Sequence, residues 1–244
     1  MLLNQTTEHL SKMRLHGMVK ALDDQRCNAA LQDLTFDERF GLCVEAEVHD
    51  REDRRLKRLL KAAKLKVSAC VEDVNFSARR GLDRKVFSTL ATCDWIEKSL
   101  NTIITGPTGV GKTWIACALG HQAARKGYSV IYKRLSRLLE ELEIANGDGS
   151  LPKLRAKLAR VDLIILDDWA LAPITSRGRH DLLELVDDHI GTGSILITSQ
   201  LPVEQWHDYL GEPTVADAIL DRLVHRSHRI ELRGESMRKL KDAV

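Results

Sequence analysis

The sequence has few aromatic residues, no cysteine pattern of a known kind and no long apolar run. Aromatic residues make up 5% of the 244 residues, and the five cysteines are odd in number and lack C-x-x-C spacing. A disulfide framework or a zinc site is therefore not expected, and we interpret the cysteines as small buried apolar residues. No apolar run approaches the ~20 residues that cross a bilayer, and the first residues lack a signal-peptide pattern. These absences predict a cytoplasmic protein with no membrane partner.

Motifs that read or cut nucleic acid are also missing. No helix-turn-helix, base-reading motif or nuclease constellation stands out, and neither internal repeats nor low-complexity segments occur. The basic segment of residues 51–66 contains no interleaved aromatic residues, so stacking of single-stranded bases on this segment is not supported. If the protein binds DNA, we expect contacts to the phosphate backbone and a dependence on DNA deformability.

Residues 106–113 read GPTGVGKT and satisfy the G-x-x-x-x-G-K-[ST] pattern of a phosphate-binding loop. Such glycines let successive N–H groups turn toward phosphates, the lysine adds a charge at the β- and γ-phosphates, and the threonine hydroxyl binds Mg2+. A glycine turn without a ligand is the alternative, but a β-branched run before the loop and an apolar helix pattern after it favour nucleotide binding. The predicted nucleotide contacts are Gly106, Pro107, Thr108, Gly109, Val110, Gly111, Lys112, Thr113 and Trp114.

A second nucleotide signal is the nearly all-apolar run of residues 161–168, which ends in Asp167 and Asp168. Such a run is typical of a central parallel strand that is buried on both faces. We predict that Asp167 holds Mg2+, directly or through water, and that Asp168 orients the attacking water as the catalytic base. A helix cap is the alternative interpretation of the paired acids.

Residues 194–200 form a further strand pattern that ends in polar residues. In a parallel sheet this end lies at the ligand-binding edge, so Thr198, Ser199 or Gln200 is expected beside the γ-phosphate, with Thr198 and Ser199 assigned to catalysis. A plain strand-to-loop transition would also be polar. Similar strand patterns at residues 101–105, 128–132 and 227–232 complete an α/β core.

Charge is unevenly distributed although the net charge is only +2. Residues 21–50 contain two basic and eight acidic residues, a balance of −6, whereas residues 51–90 contain twelve basic and five acidic residues, a balance of +7. The basic helix at the start of the second segment is either a solvated face with i,i+4 ion pairs or a contact to DNA phosphates or a partner protein. We favour a contact because acidic residues are too few to balance the helix.

The chain is interpreted as three segments on the basis of these patterns. Residues 1–67 show helical apolar spacing in two long helices and form a helical N-terminal domain for DNA or partner contacts. Residues 68–98 are a connector that packs on the core, and residues 99–244 are the ATPase domain. The candidate DNA contacts lie on both sides of the phosphate loop: Arg51, Arg54, Arg55, Arg58, Lys61, Lys64, Arg79, Arg80, Lys133 and Arg134.

The order of these motifs, followed by Asp221-Arg222-Leu223, resembles that of the AAA+ ATPases. Within them the chain is similar to the DnaC/IstB branch, and most closely to the IstB-like ATP-binding helper proteins of bacterial insertion sequences. The resemblance covers nearly the whole chain. It implies a P-loop NTPase core, a parallel five-stranded sheet flanked by helices, with an all-helical N-terminal domain and little or no C-terminal lid.

The resemblance also implies roles for two arginines. Arg222 matches the arginine finger that reaches the γ-phosphate of a neighbouring subunit, so hydrolysis would depend on assembly. A helix-terminal arginine in a surface ion pair is the alternative. Arg238 matches the sensor 2 position of a nucleotide contact, although the chain continues for too few residues to form a full lid.

The function that the resemblance implies is a Mg2+-dependent ATPase that forms homo-oligomers on duplex DNA, deforms it, and recruits or activates a transposase at the bacterial nucleoid. Hydrolysis of ATP would act as a switch, stimulated by DNA or the partner. A helicase loader of the DnaC type, which binds single-stranded DNA, is the nearest alternative. A small-molecule phosphotransferase and a binding module that does not hydrolyse ATP are more distant ones.

Overall fold

The computed structural model describes residues 2–31, 33–78 and 80–237. Two compact units are present, Met1–Arg58 and Leu59–Val244, and their boundary falls within a helix. Within the described residues no helix is both long and apolar enough to cross a membrane. The helices are α1 (Leu2–Lys12), α2 (His16–Cys27), α3 (Phe36–Ala63), α4 (Arg84–Ala91), α5 (Asp94–Glu97), α6 (Lys112–Arg125), α7 (Leu135–Gly147), α8 (Leu151–Leu158), α9 (Ser176–His189), α10 (Trp206–Leu210) and α11 (Pro213–Val224). The strands are β1 (Asn101–Thr105), β2 (Val130–Arg134), β3 (Leu163–Trp169), β4 (Ser194–Ser199) and β5 (Ser227–Glu231).

The described residues of the first unit form α1, α2 and most of α3, where the sequence pattern predicts only two helices. Arg14 adopts a left-handed φ of 60° between α1 and α2. The N–H of Leu15 donates to the carbonyl of Leu10, and the N–H of Arg14 donates to that of Ser11. This is a Schellman helix end, which glycine usually provides. The predicted first helix is therefore wrong in extent, because it is two helices.

Thr35, which is followed by acidic residues at positions 37 and 38, has the sequence pattern of a helix N-cap, and α3 begins directly after it. The N–H of Thr35 donates to the Glu38 carboxylate at 2.8 Å, and the N–H of Glu38 donates to the Thr35 hydroxyl at 3.4 Å. This reciprocal pair is a capping box, which satisfies two backbone donors that the helix itself leaves unpaired.

The buried carboxylate of Glu47 joins α3 to the start of α2. It accepts the N–H groups of Gly17 at 2.8 Å and Met18 at 3.4 Å, and Arg51 Nε donates to it at 2.7 Å. A Cβ on Gly17 would lie 2.4 Å from the carbonyl oxygen of Ala46, so only glycine permits this approach. Glu47 thus caps one helix from within another.

The second unit contains a sheet of five parallel strands in the order β2-β3-β4-β1-β5. The parallel five-stranded core is therefore confirmed. Every residue of β4 is buried, as are all but one of β3, which suits central strands covered on both faces. Since the strands are parallel, the residues that follow β1, β3 and β4 meet at one edge of the sheet.

Helices cover both faces of the sheet, as predicted. On one face, α7, α9 and α11 contribute Leu138, Leu182 and Ile219 to a continuous apolar cluster. On the other face, α6 packs so closely that a Cβ on Gly120 would lie 2.6 Å from the Cδ1 of Ile165. This packing fixes the start of α6 at the carboxyl edge of the sheet.

Candidate nucleotide-binding and catalytic site

The phosphate loop connects the end of β1 to the start of α6, and three of its glycines have positive φ. Gly106, Gly109 and Gly111 have φ values of 144°, 89° and 98°. A Cβ on Gly106 would lie 2.2 Å from the carbonyl oxygen of Leu232, so a larger residue does not fit there. The loop therefore brings its amides to the N-terminus of a 14-residue helix, where the helix dipole also favours a bound anion.

The side chain of Lys112 lies along this loop. Its Nζ donates to the carbonyls of Gly106 at 2.6 Å and Pro107 at 2.8 Å. Burial lowers the pKa of the Lys112 ammonium, and the charges of Asp167 and Asp168 oppose that shift. The ammonium is thus held at the mouth of the loop, where the sequence predicts contact with a phosphate.

Asp167 is fully buried at the end of β3 and accepts bonds from three hydroxyl groups. Thr113 Oγ1 donates at 2.8 Å, and the hydroxyls of Thr198 and Tyr132 donate over short distances. Lys66 Nζ lies 3.5 Å from the same carboxylate. Burial opposes ionisation of Asp167, but the hydrogen bonds from these hydroxyls and the charge of Lys66 outweigh it and lower its pKa. Asp167 is therefore a carboxylate, the form that a metal requires.

The donor set at this edge fits Mg2+. Thr113 uses its proton toward Asp167, which leaves the oxygen lone pairs of its hydroxyl for a cation. Among the described residues no group of three or more His, Cys, Asp or Glu side chains is arranged to hold a metal. One hydroxyl and one carboxylate suit Mg2+, which keeps several water ligands and takes others from nucleotide phosphates.

Asp168 points differently from Asp167 because the strand is irregular between them. The pairing of β3 with β4 shifts register between Leu166 and Trp169, and Asp168 has a φ of 60°. This backbone places the Asp168 carboxylate 3.5 Å from Arg134 Nε and leaves a quarter of the side chain exposed. A bulge thus aims the second acid away from the metal position, which suits the predicted role in orienting water.

The three polar residues that end β4 have different surroundings. Thr198 bonds to Asp167, and Gln200 Oε1 accepts a bond from the Thr108 hydroxyl of the phosphate loop at 2.7 Å. Ser199 is fully buried, and its hydroxyl donates to the carbonyl of Trp169 at 3.2 Å. The Ser199 hydroxyl is therefore directed at β3 and not at the phosphate loop, although the Ser199 carbonyl accepts the N–H of Gly106 at 3.2 Å. The side chains of Thr198 and Gln200 contact Asp167 and the phosphate loop.

Two neighbours of Asp167 were not predicted from the sequence. Tyr132 lies on β2 opposite Ile165, two residues before Asp167, and burial raises the pKa of its phenol, so that the hydroxyl remains a donor. Lys66 follows α3 within the basic segment, where its charge has no distinguishing pattern. Strand order and chain path bring both to the carboxylate, and neither is visible in local spacing.

Arg222 lies far from the phosphate loop of its own chain. Asn101 Nδ2, at the first residue of β1, donates to the Arg222 carbonyl at 3.1 Å, whereas the loop follows the last residue of β1. The five residues of β1 at ~3.3 Å each separate the two positions by about 13 Å or more. The guanidinium forms an ion pair with Asp187. Within one chain Arg222 therefore cannot complete the nucleotide site.

The predicted DNA contacts fall into distinct environments. In the first unit, Arg51 is ion-paired with Glu47 at 2.7 Å and Arg54 with Asp50 at 2.7 Å. An arginine groove of about 380 Å³ is lined there by Met13, Arg14, Arg51, Arg54, Arg55 and Arg58. In the second unit, Lys61 and Lys64 are exposed, Lys133 pairs with Glu141 and Arg134 with Asp168.

Three predicted basic contact residues are either buried or outside the described part of the chain. Arg80 is only 4% exposed and bonds to the carbonyl of Val110 in the phosphate loop, so its burial argues against the predicted DNA contact. Arg79 and Arg238 lie outside the described residues. Of the remaining predicted nucleotide contacts, Pro107 and Thr108 are exposed and Trp114 is half-buried in the first turn of α6. The roles assigned to Arg79, Arg238, Pro107, Thr108 and Trp114 stay predictions.

Comparison with known proteins identifies the family. The sequence profile described as IstB-like ATP binding protein matches residues 8–243. The chain is 49% identical over 239 residues to the insertion sequence ATP-binding protein y4pL of Sinorhizobium fredii (strain NBRC 101917 / NGR234), which covers 98% of each protein. It is 52% identical over 203 residues to the ATP-binding protein of insertion sequence IS1162 from Pseudomonas fluorescens, covering 83% of this chain and 88% of the relative.

Structural similarity extends to more distant proteins. The structure of AMPPCP-bound DnaA from Aquifex aeolicus matches with a TM-score of 0.59 at 20% identity, over 73% of this chain and 56% of that one. At this identity the match concerns the fold, and it agrees with the parallel sheet and helix arrangement of the second unit. The family profile and the insertion-sequence relatives show that the chain belongs to the IstB-like ATP binding protein family.

Proposed function

We propose that the protein is an ATP-dependent DNA-binding oligomeric ATPase that assists transposition. It assembles on target duplex DNA, deforms it, and recruits or activates the transposase of its insertion sequence, with hydrolysis of ATP as the switch. The observation that carries the shared-site part of the proposal is the separation of Arg222 from the phosphate loop within a chain. Relatives named as insertion sequence ATP-binding proteins support the biological setting.

The residues at the carboxyl edge divide the chemistry among them. The loop amides and Lys112 bind the phosphates, and Thr113 and Asp167 hold Mg2+, which when bound neutralises charge that develops on the transferred phosphoryl group. Asp168 orients the attacking water, and Thr198 and Gln200 adjoin the position of the γ-phosphate. Arg222 of a neighbouring subunit supplies the remaining positive charge, so hydrolysis is confined to assembled protein.

DNA binding is assigned to basic side chains, and its expected character follows from their type. The arginine groove of the first unit and the exposed Lys61 and Lys64 offer cations to phosphates. Such contacts carry no sequence information, so target choice depends on the deformability of DNA rather than on base contacts.

The test is size-exclusion chromatography of the protein with ATP and either duplex or single-stranded DNA of equal length. We expect oligomers that require both ATP and duplex DNA, and no oligomers for Lys112→Ala, which removes the phosphate-binding ammonium. A pull-down with an insertion-sequence transposase, if the neighbouring reading frame encodes one, then tests the partner. Assembly confined to single-stranded DNA, together with capture of a replicative helicase and not of the transposase, would establish a helicase loader instead.

A further inference from the structure

Among the described residues, no carboxylate pairs with the buried guanidinium of Arg80. Its side chain is 4% exposed, and its two hydrogen bonds go to main-chain carbonyls, Val110 at 3.1 Å and Asn75 at 3.2 Å. A guanidinium has five N–H donors, and the buried Nε of Arg80 has no partner among the described residues. Burial lowers the pKa of Arg80. A buried charge that lacks an opposite charge and some of its hydrogen bonds destabilises the fold unless an anion compensates it.

The location of the Arg80 guanidinium at a helix end makes its burial more unfavourable. The guanidinium lies beside Gly111, which caps the N-terminus of α6, and a Cβ on Gly111 would lie 2.6 Å from Nη1 of Arg80. The N-terminus of a helix carries a partial positive charge, so a cation there is repelled. The phosphate loop places the same helix end at the bound phosphates. The anion that would compensate Arg80 is therefore the ligand of the loop itself.

Hydrogen bonds within the protein hold the backbone on both sides of Arg80 in place. The Asn75 side chain accepts the N–H groups of Ser77 at 2.9 Å and Ala78 at 3.2 Å. On the other side, the carbonyl of Arg80 accepts the N–H of Arg233, which follows β5, at 2.9 Å. The segment is thus anchored to the sheet, and little side-chain entropy is lost when Arg80 meets a ligand.

We propose that Arg80 is a nucleotide-binding residue, and that a phosphate group of the bound nucleotide neutralises its guanidinium. The proposal deepens the proposed function, because it rests on ATP binding at the phosphate loop. It also replaces the DNA contact that the basic sequence around residue 80 predicts.

The proposal is tested with Arg80→Met, which keeps the aliphatic length and removes the charge, and with Arg80→Lys, which keeps the charge and removes the planar donor group. Lys85→Met is the matched control, since Lys85 is an exposed cation of the same segment. Affinities for ATP, ADP, AMP and adenosine are measured by calorimetry, and thermal unfolding is followed with and without nucleotide. These readouts do not depend on hydrolysis.

We expect Arg80→Met to weaken the binding of at least one phosphorylated ligand by about tenfold or more relative to the wild-type protein. Loss of a charge-assisted hydrogen bond has an effect of this size. Adenosine affinity is expected to change little, and the smallest ligand that is affected identifies the phosphate. The Tm without nucleotide is expected to be no lower than that of the wild type, while the increase in Tm caused by ATP becomes smaller. Arg80→Lys is expected to retain part of the affinity, and Lys85→Met all of it.

Two outcomes would overturn the proposal. If Arg80→Met lowers the Tm without nucleotide and leaves all four affinities unchanged, Arg80 only supports the loop. If Arg80→Met loses affinity for adenosine and for ATP equally, the contact of Arg80 is to the base or ribose and not to a phosphate. Should Arg80→Met fail to fold, Arg80→Lys with unchanged affinities would count equally against it. Absence of ATP binding by the wild-type protein would instead refute the proposed function.

Discussion

At the scale of single residues, the candidate site is built around one carboxylate. Asp167 receives hydrogen bonds from Thr113, Thr198 and Tyr132, and it lies 3.5 Å from the ammonium of Lys66. Donors of this kind fix the orientation of a carboxylate and keep it ionised in a buried place. Thr113 is the residue that connects this group directly to the phosphate loop.

Tyr132→Phe tests whether this orientation matters for the metal. The substitution removes one donor from Asp167 without changing the volume of the ring, so we expect the Mg2+ concentration for half-maximal ATP hydrolysis to rise roughly tenfold. Tyr128→Phe is the matched control, since Tyr128 precedes β2 and is not one of the three hydroxyl donors to Asp167. Hydrolysis assayed over a Mg2+ titration provides the measurement. An unchanged Mg2+ dependence, with only a lower Tm, would assign Tyr132 to packing alone.

At the scale of elements, the joint between α2 and α3 depends on an ionised side chain. Burial opposes ionisation of Glu47, but the bonds from Arg51, Gly17 and Met18 outweigh it and lower its pKa. Because the folded pKa lies below the unfolded value of about 4.5, Glu47 stabilises the helices above pH 4.5. This contribution is lost as the pH falls through the folded pKa.

Glu47→Gln keeps the shape of the side chain and removes the charge. We expect it to destabilise the pairing of α2 with α3 by about 1–3 kcal/mol at pH 7, because charged hydrogen bonds become neutral ones. Hydrogen exchange of residues 16–27 measures the effect locally, and the loss of protection in the wild-type protein between pH 7 and pH 4 should be smaller in the variant. Equal protection at pH 7 would show that the carboxylate is dispensable. Asp53→Gln, an exposed acid of the same helix, is the control.

The arginine groove makes a second prediction about the first unit. If Arg55 and Arg58 contact phosphates, replacing either by Gln should weaken duplex binding and reduce the slope of log affinity against log salt concentration by about 1. Fluorescence anisotropy over a salt series measures both quantities. Lys20→Gln provides the comparison, since Lys20 is exposed on α2 and does not line the groove. Equal slopes for all three variants would place the DNA surface elsewhere.

At the scale of the whole molecule, the position of Arg222 makes the proposed active site a property of two subunits. Its backbone lies at the amino end of β1 and its side chain is paired with Asp187, whereas the phosphate loop and both acids lie at the carboxyl end of the sheet. If Arg222 acts as proposed, a complete set of catalytic groups exists only where one chain faces another. In such an arrangement, ATP hydrolysis would require assembly of the subunits.

Mixing two inactive variants tests this directly. Arg222→Ala should bind ATP normally and hydrolyse it about 10³-fold more slowly, the effect of losing an arginine finger. Asp168→Asn should assemble on DNA and also fail to hydrolyse ATP. Because the two defects belong to different sides of one interface, a mixture should partly recover turnover in a phosphate-release assay. No recovery at any ratio would indicate a site within one chain, and Arg229→Ala, an exposed arginine of β5, should remain active.

Local sequence was sufficient for much of the core. The glycine pattern of the phosphate loop, the apolar run ending in Asp167 and the cap at Thr35 each depend on neighbouring residues, and each occurs where it was expected. Short-range rules failed at Arg14, where a helix ends without glycine. Apolar spacing alone would also group Phe36 with the buried face of α3, yet Phe36 is 78% exposed.

What the sequence alone determined is the chemistry of the site, because binding phosphates requires particular residue types at short spacing. Tertiary structure decided which distant side chains join it, since strand order and chain path are not encoded in any local pattern. Tyr132 and Lys66 reach Asp167 in this way, and Ser199 turns away from it. Arg80 shows the same limit, because a basic run predicts an exposed cation, whereas packing against the phosphate loop buries it.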